Sequence, residues 1–421
     1  MAVLASSTVA RRQGWIECDG LKDRVDGPER VTERTTMSGQ ADPSLDSSTS
    51  PDVITGSDTR AAVRSEAPEA CATPSSPDPS TGVDHAATED VGNDIDPAQL
   101  HVPVMRDRIV ELLSTSLHRA EQGYLAGDRS RPVHVDGTLG MGGHAEAILA
   151  SCPHTVLVGI DRDTQALNLA RRRLERFGER VTLVHAVHDE LAEVLDDLGH
   201  PNADSILLDL GLSSMQIDRA ERGFAYSVDA PLDMRMDQSD GPTAAELLNT
   251  ADADELTRIL RGWGQEKFTD RIVRAIVAAR AAEPITTSGQ LVRIITEAIP
   301  VAARHQGGHP AKRTFQALRI AVNHEMATLD RVIPEALERL AVGGRFAVLA
   351  YHSLEDRPVK DAFRSAASDS APPGLPIVPE SMQPRFTLVT RGAERPDEDE
   401  LACNPRSASA RLRVIERIKP A

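Results

Sequence analysis

The pattern of apolar and polar positions changes at about residue 101. From His101, apolar residues recur at helical spacing as far as Leu117, which predicts a first helix. Short and almost wholly apolar runs follow at 133–135, 155–160, 181–187 and 205–210, and a helical pattern follows each of the first three. Buried strands that alternate with helices are typical of a parallel sheet covered on both faces.

This alternation stops after residue 210. Helical patterns then occur at 244–248, 253–262, 269–282 and 288–298 without a strand pattern between them, which predicts an inserted helical subdomain over 217–318. The sheet pattern resumes with one long helix over 314–340, a strand over 345–351, a helix over 359–366 and an antiparallel pair at 386–390 and 412–418. We therefore expect an α/β fold with a Rossmann-like sheet in two parts, 101–216 and 319–421.

The first hundred residues have a different composition. They contain no Phe or Tyr, and Trp15 is their one tryptophan, among dense Ser, Thr, Pro, Asp and Gly. Such a segment cannot bury enough apolar surface to offset its conformational entropy, so we expect residues 1–100 to be a disordered acidic extension. It carries 18 acidic and 8 basic residues, a net of −10 that leaves −7 of the total −17 for residues 101–421.

The net charge limits the kinds of partner that this chain can bind. An acidic total argues against a protein that holds bare nucleic acid by bulk charge, because that affinity comes from Lys and Arg at phosphates. Residues 258–324 are an exception, with 11 basic and 4 acidic side chains. This stretch is either a local nucleic-acid surface or the solvated faces of amphipathic helices.

Targeting and metal-binding signals do not appear in the sequence. The four cysteines lie far apart, without the C-x-x-C spacing of a zinc site or a redox pair. Arg11 and Arg12 follow a mildly apolar start, the reverse of a signal peptide's charge order, and no apolar run approaches the ~18 residues of a membrane span. We expect a cytoplasmic, soluble protein with no membrane contact.

The most informative stretch is the glycine turn after the first strand. Residues 133–143 read VHVDGTLGMGG, a strand that runs into a turn and then a helix. Glycines let the backbone approach a ligand where a side chain would block it. The spacing does not match G-x-G-x-x-G, which disfavours a dinucleotide among the cofactors that use such turns.

Two carboxylates follow later strands. Asp161 ends the second strand, where it can accept both hydroxyls of a ribose or simply cap the next helix. Asp209 ends the fourth strand, where the carboxyl ends of parallel strands form the ligand crevice. The Pro-Pro-Tyr motif of many enzymes that methylate exocyclic amines is absent, and Leu-Gly-Leu-Ser-Ser-Met-Gln stands after Asp209 instead.

Seven ordered motifs then carry a specific resemblance. They are DGTLGMGGH, LLDLGLSSMQID, ERGFAY, PLDMRMD, HPAKRTFQALRIAVN, YHSLEDRPVK and NPRSASARLRVIER. In this order the chain, from His101 to about Arg417, resembles the S-adenosylmethionine-dependent 16S ribosomal RNA (cytosine-N4)-methyltransferase family. The resemblance implies a class I methyltransferase sheet, S-adenosylmethionine as cofactor, and methyl transfer to N4 of one cytosine in the decoding region of small-subunit RNA.

The resemblance also implies which residues contact the cofactor. The family usually has Phe at the position of His188, where the adenine would pack; His can stack there too, but it can also be protonated. His144 alone would be typical of a histidine satisfied at a helix start, and the flanking match favours a cofactor contact. The cofactor contacts carried over are Gly142, Gly143, His144, Asp161, His188, Asp209 and Gln216.

Cytosine chemistry narrows the catalytic candidates. The N4 lone pair is delocalised into the ring, so the site needs acceptors that hold and align the amine, and neither a metal nor a covalent nucleophile is required. Asp209, Ser213 and Ser214 follow the fourth strand, and His352, with Ser353 and Asp356, follows the fifth. Candidates for substrate contacts are Asp233, Arg235, Arg313 and Arg357, although Arg235 and Arg357 could equally form internal ion pairs that join the insert to the sheet.

The expected partner is 16S ribosomal RNA within the small subunit, with a homodimer left open. Two other classes remain as alternatives. A non-catalytic assembly factor that retains an old cofactor fold is disfavoured by the presence of Gly142, Gly143, Asp161 and Asp209. A DNA or small-molecule methyltransferase is disfavoured by the missing Pro-Pro-Tyr motif and by the charge of the insert.

Overall fold

The structure is a computed structural model that describes residues 103–304, 308–372 and 377–420, together with the backbone of Trp15–Ile16. The predicted disorder of residues 1–100 therefore concerns residues outside the described ones, apart from Trp15–Ile16, which pair with an edge of the sheet. None of the described helices is long and apolar enough to cross a membrane.

One mixed sheet organises the described residues. Its strands are β1 Trp15–Ile16, β2 Val133–Asp136, β3 Val156–Asp161, β4 Val181–His185, β5 Ala203–Asp209, β6 Leu340–Ala350, β7 Phe386–Leu388 and β8 Arg411–Arg417. They lie in the order β1-β4-β3-β2-β5-β6-β8-β7, and the five strands from β4 to β6 are parallel. The antiparallel pair β7–β8 is confirmed, with β8 between β6 and β7.

The helices, in chain order, are α1 Arg106–Leu125, α2 Gly143–Ser151, α3 Thr164–Leu174, α4 Leu191–Asp197, α5 Ser214–Asp218, α6 Ala244–Thr250, α7 Ala253–Gly262, α8 Thr269–Ala282, α9 Ser288–Ala298, α10 Lys312–Val322, α11 Glu325–Arg339, α12 Ser353–Ala366 and α13 Glu398–Cys403.

Alternate residues of β5 show how helices cover both faces of the sheet. Ile206 and Leu208 pack with α4, α11 and α12, whereas Leu207 packs with α1. The predicted α/β fold with a parallel sheet buried on both faces is confirmed.

The region between β5 and α11 has an apolar core of its own. Helices α6 to α10 pack around residues such as Leu260, Ile276, Leu291 and Phe315, all buried. The bounds of α7, α8 and α9 agree with the predicted helices to the residue. The domain boundaries at 216 and 318 remain predictions, and this core extends to Val322.

The prediction of a single helix over 314–340 is wrong. The segment forms two helices, α10 and α11, which meet at Asn323 and His324, and His324 has a left-handed backbone with φ 52°. The Asn323 amide explains the break: its Nδ2 donates to the Met234 carbonyl at 2.8 Å, and its Oδ1 accepts from the Met236 N–H at 2.7 Å. Here a long-range contact prevails over a continuous helical pattern.

A buried ion pair joins the loop after α5 to the turn after β3. Arg222, 1% exposed, donates from Nη1 to Asp163 Oδ2 at 2.9 Å, and Asp163 is 2% exposed. Arg222 Nη2 also donates to the Met236 carbonyl at 2.9 Å. The sequence had suggested Arg235 or Arg357 for such a contact, but Arg235 pairs with Asp233 in the same loop and Arg357 is 83% exposed.

We expect Arg222→Ala to lower the free energy of unfolding by about 3–5 kcal/mol, because it leaves the Asp163 carboxylate buried without its cation. Arg261→Ala is the control: its partner is Asp270, the two side chains are 61% and 72% exposed, and the expected loss is less than about 1 kcal/mol. Urea unfolding measures both. Equal losses in the two variants would contradict this role of Arg222.

Candidate active site

A cavity of about 670 Å³ lies at the carboxyl ends of β2, β3, β5 and β6. The order of strands reverses between β2 and β5, which is where open α/β sheets bind ligands. Nine of the residues singled out in the sequence line this cavity: Gly143, His144, Asp161, His188, Asp209, Ser213, Ser214, Gln216 and His352.

The glycine turn forms one wall of the cavity. Gly140 and Gly142 have positive φ values of 53° and 77°, which other residues adopt at a cost. A Cβ at Gly143 would lie 2.4 Å from Pro103 Cγ, and one at Gly137 would lie 2.6 Å from Leu208 Cδ2. The turn is therefore closely packed, and α2 begins directly after it at Gly143. Gly142, which the resemblance implied as a cofactor contact, does not line the cavity, and its Cβ position faces Leu174 and Ala170 of α3.

Asp161 is fixed by backbone donors on both sides. Its Oδ2 accepts from the Gly140 N–H at 2.6 Å, and its Oδ1 accepts from the Asp163 N–H at 2.8 Å. Burial raises the pKa of this carboxyl to about 6. Each oxygen keeps a further lone pair, so the group can accept two hydroxyl hydrogen bonds from a ligand in the cavity.

His188 lines the cavity next to the start of the turn, where a Cβ at Gly137 would lie 3.5 Å from His188 Cβ. Its Nε2 is buried and has no hydrogen-bond partner among the described residues. Burial, reinforced by Arg162 and Arg331, lowers the pKa of the imidazole to about 3. The ring is therefore neutral near pH 7. This pKa answers the question, left open by the sequence, of whether His188 is protonated, and a neutral ring suits stacking against a base.

Asp209 is the centre of a polar cluster at the end of β5. Its Oδ1 accepts from the Tyr351 hydroxyl at 2.9 Å, and its Oδ2 lies 3.4 Å from His144 Nε2. Burial and the neighbouring Asp209 raise the pKa of Tyr351 well above 10, so its hydroxyl remains a donor. The Asp209 side chain is 25% exposed, which leaves it accessible from the cavity.

Tyr351 was missed in the sequence, although it stands directly before His352. An aromatic residue at the end of an apolar strand is more typical of a core than of a site. The signal that could have found it is its position, since the carboxyl end of β6 lies beside that of β5. The Gly211 backbone, at φ 98°, approaches the same ring, and a Cβ there would lie 3.3 Å from Tyr351 Cδ2.

Ser213 and Gln216 shape the turn after β5. Ser213 is the N-cap of α5, with its Oγ accepting from the Gln216 N–H at 3.3 Å, while Gln216 Oε1 accepts from the Ser213 N–H at 3.1 Å. This reciprocal pair is a capping box. Gln216 Nε2 donates to Asp163 Oδ2 at 3.0 Å, which ties the turn after β5 to the one after β3.

His352 belongs to a charged network at the start of α12. Its Nε2 lies 3.0 Å from Glu355 Oε1, and Arg319 donates from Nε and Nη2 to the two carboxylate oxygens of Glu325, at 2.8 and 2.7 Å. Glu325, His352 and Glu355 have potential metal-ligating atoms within 4.8 Å of one another. The Arg319 guanidinium already supplies a cation there, 3.9 Å from Glu355 Oε1.

The candidate substrate contacts lie outside this cavity. Asp233 and Arg235 bind each other, with Nε–Oδ1 and Nη2–Oδ2 distances of 2.8 and 2.9 Å. Arg313 is exposed beside a second cavity, and Arg357 lies 3.8 Å from Asp361 on the surface of α12. Asp356 pairs with Arg411 and Arg413 of β8 and holds α12 to the sheet.

Asp136 is a second residue that the sequence reasoning missed. It ends β2 directly before the glycine turn, is 1% exposed, and accepts from the Thr138 N–H at 3.2 Å. Burial raises the pKa of its carboxyl to about 7. The signal was present in VHVDG. Burying a carboxylate at the end of a strand costs free energy unless the group is paired or protonated, so an aspartate in this position is a functional candidate.

This pKa predicts a pH dependence of stability. In the unfolded chain the Asp136 carboxyl has a pKa of about 3.9, so between about pH 4 and pH 7 the folded protein retains a proton that the unfolded chain has lost. The free energy of unfolding therefore falls as pH rises through that window. Asp136→Asn, which is neutral at every pH, should show a smaller fall between pH 5 and pH 7.5 in urea unfolding.

The exposed Asp361→Asn change is the control, and it should keep the wild-type slope. Equal slopes for wild type and Asp136→Asn would show that Asp136 is not protonated in the folded protein.

Comparison with known proteins accords with this geometry. Residues 98–418 match the model of the MraW methylase family. Three relatives are each named ribosomal RNA small subunit methyltransferase H. The relative from Cutibacterium acnes is 65% identical over 335 residues, 79% of this chain and 95% of that protein. Those from Renibacterium salmoninarum and Streptomyces avermitilis are 55% and 56% identical, over 77% and 76% of this chain and 96% and 97% of theirs. Because the family model spans well over half of the chain, with the glycine turn, Asp161 and Asp209 inside it, this chain belongs to the MraW methylase family.

Proposed function

We propose that this chain transfers the methyl group of S-adenosylmethionine to the N4 amine of one cytosine in the decoding region of 16S ribosomal RNA. One observation carries the proposal: a single cavity brings the glycine turn and Asp161 together with the accessible carboxylate of Asp209. The relatives named ribosomal RNA small subunit methyltransferase H support the same reaction.

The residues of the cavity fit S-adenosylmethionine. The turn at Gly140 and Gly143 admits a ligand close to the backbone, Asp161 can accept the ribose hydroxyls, and the neutral ring of His188 can stack against adenine. The unpartnered His188 Nε2 is a buried donor or acceptor in the plane of the ring, which a polar group of the ligand other than the stacked base can satisfy. When bound, the cofactor supplies an electrophilic methyl carbon.

The other side of the cavity can hold the cytosine amine. An amine whose lone pair is delocalised must be held by acceptors that direct it at the methyl carbon, and Asp209 Oδ2 and the Ser213 and Ser214 oxygens are acceptors of this kind. The Tyr351 hydroxyl fixes the other oxygen of Asp209 and thereby orients the carboxylate. We assign to Asp209 the proton that N4 releases after transfer.

The insert presents the substrate. Its basic stretch, residues 258–324, contrasts with an otherwise acidic chain, so contact with RNA is local. This favours an assembled small subunit, in which proteins and folded RNA restrict contact to that surface, over naked RNA. Since the substrate is part of the ribosome, we place the reaction in the cytoplasm; a homodimer stays a prediction.

Mass mapping of the methylated nucleotides in small-subunit RNA, from cells with and without this protein, tests the proposal. Loss of one N4-methyl group on a decoding-region cytosine is the expected result. An unchanged methylation pattern would contradict it. Loss of a methyl group from a different base would assign the protein to another target nucleotide.

For the site itself, Asp209→Ala should reduce methyl transfer to small subunits by at least about 100-fold, because the amine loses its acceptor. The fold should persist, since the Asp209 side chain is partly exposed. Asp361→Ala, an exposed change on α12, is the control and should keep full activity. A folded and fully active Asp209→Ala protein would exclude this role.

Cofactor affinity should depend on pH through Asp161. An ionised carboxylate is the better hydroxyl acceptor, so affinity for S-adenosylmethionine should rise between pH 5 and pH 7 as this group, with a pKa of about 6, loses its proton. Asp161→Asn should bind about 10-fold more weakly at pH 7 and lose that pH dependence. Titration calorimetry measures both, and a pH dependence that persists in Asp161→Asn would assign it to another group.

A further inference from the structure

A second cavity, of about 500 Å³, lies beside the first. Its walls are the α7–α8 connection at 263–268, the start of α10 with the residues before it at 308–313, and the first residues of α12. Lys312, Gln316 and His352 line both cavities, so the two are neighbours that share one wall. A volume of this size accommodates a small organic ligand such as a nucleotide.

The charge of the second cavity favours an anion. Lys267, Lys312 and Arg313 line it and are exposed. Neither lysine forms an ion pair within the part of the chain that the structure describes, and Arg313 donates only weakly, to the Gln265 carbonyl at 3.3 Å. The acidic residue of the lining, Glu266, is 7% exposed and accepts from the Phe268 N–H at 3.0 Å, which turns its carboxylate toward the backbone.

The start of α10 adds to this preference. Lys312 and Arg313 occupy its first turn, which contains no acidic residue, and its N-cap residue, Ala311, offers no side-chain acceptor. Cations at a helix N-terminus are placed against the helix dipole, which favours negative charge there. A phosphate bound there would interact favourably with the helix dipole and with the two basic side chains.

Aromatic rings line the same cavity as these cations. Trp263 and Phe268 line the second cavity and are both half-buried. His309 of the same cavity stacks on Tyr226 of the first, with ring centroids 4.6 Å apart and planes 18° apart. Cations next to aromatic faces are the means by which proteins hold single-stranded RNA, through its phosphates and its unstacked bases.

We propose that the second cavity binds the nucleotide next to the target cytosine in single-stranded RNA. Lys267, Lys312 and Arg313 hold its phosphate, and Trp263 offers a face to its base. The stacked pair of Tyr226 and His309 joins this subsite to the catalytic cavity. The inference rests on the proposed function and extends it, because it makes recognition depend on a neighbour of the cytosine as well as on the cytosine itself.

Steady-state methylation of small subunits that lack the modification tests the subsite. The double variant Lys267→Ala/Arg313→Ala should raise the KM for small subunits about 10-fold and change kcat less than about twofold, with unchanged affinity for S-adenosylmethionine. The salt dependence of binding should also weaken, by a slope of roughly 0.7 for each lost phosphate contact. Arg258→Ala/Arg293→Ala removes the same charge from the insert without touching the cavity, and should raise KM less than about threefold.

Equal KM values for the two double variants would overturn the subsite and leave only a diffuse basic surface. The wild-type protein separates this failure from that of the proposed function: if it does not methylate small subunits at all, the proposed function fails. If it does and the two double variants are alike, the subsite alone fails.

The stacking contact has its own readout. The chain contains two tryptophans, so in a Trp15→Phe background the fluorescence comes from Trp263 alone. At concentrations high enough to compensate for the missing contacts of the assembled subunit, a single-stranded RNA of nine nucleotides, with one cytosine among uracils, should quench that fluorescence, and Lys267→Ala/Arg313→Ala should weaken the quenching. Binding of the RNA, measured by anisotropy, without any change at Trp263 would overturn the stacking contact.

Discussion

The carboxylate of Asp163 is the point at which the parts of this molecule are joined. Its Oδ1 accepts from the Gln165 N–H and caps α3, while its Oδ2 accepts from Gln216 and from Arg222. One buried side chain thereby connects the turn after β3, the turn after β5 and the loop that opens the insert. The two walls of the catalytic cavity keep their spacing because this carboxylate is satisfied from three directions.

The same strand ends bring carboxyl groups together at one edge of the sheet. Asp136, Asp161 and Asp209 end β2, β3 and β5, and burial raises the pKa of the first two, to about 7 and about 6. Holding these groups at one edge costs stability, which is a common feature of functional sites. In the proposed reaction the sulfonium cofactor is a cation and its demethylated product is not, so ionised Asp161 and Asp209 would favour the reactant over the product.

Much of the fold could be predicted from the sequence because its signals are local. Asp252 and Thr287 cap α7 and α9 with their own side chains, so those helices begin where the residue types indicate. The alternation of buried strands with helices predicted the sheet. The resemblance implied a set of site residues, most of which line one cavity in the structure. Their individual roles remain predictions.

The rest depends on contacts between distant residues, which no local pattern records. The helical periodicity runs through Asn323, yet its amide binds a loop nearly ninety residues away and ends α10. Arg222 lies in a polar run typical of a surface, but in the structure it is almost fully buried. Tyr351 has the character of a core residue, and its role appears only when β6 is placed beside β5.

The central claim is that one cavity holds both the cofactor and the target base. A crystal structure of this protein with S-adenosylhomocysteine and cytidine tests it most directly. We predict the ribose hydroxyls on Asp161 and the cytosine amine within hydrogen-bond distance of Asp209, facing the cofactor sulfur. Cytidine bound away from Asp209, with its amine turned from the sulfur, would contradict the account.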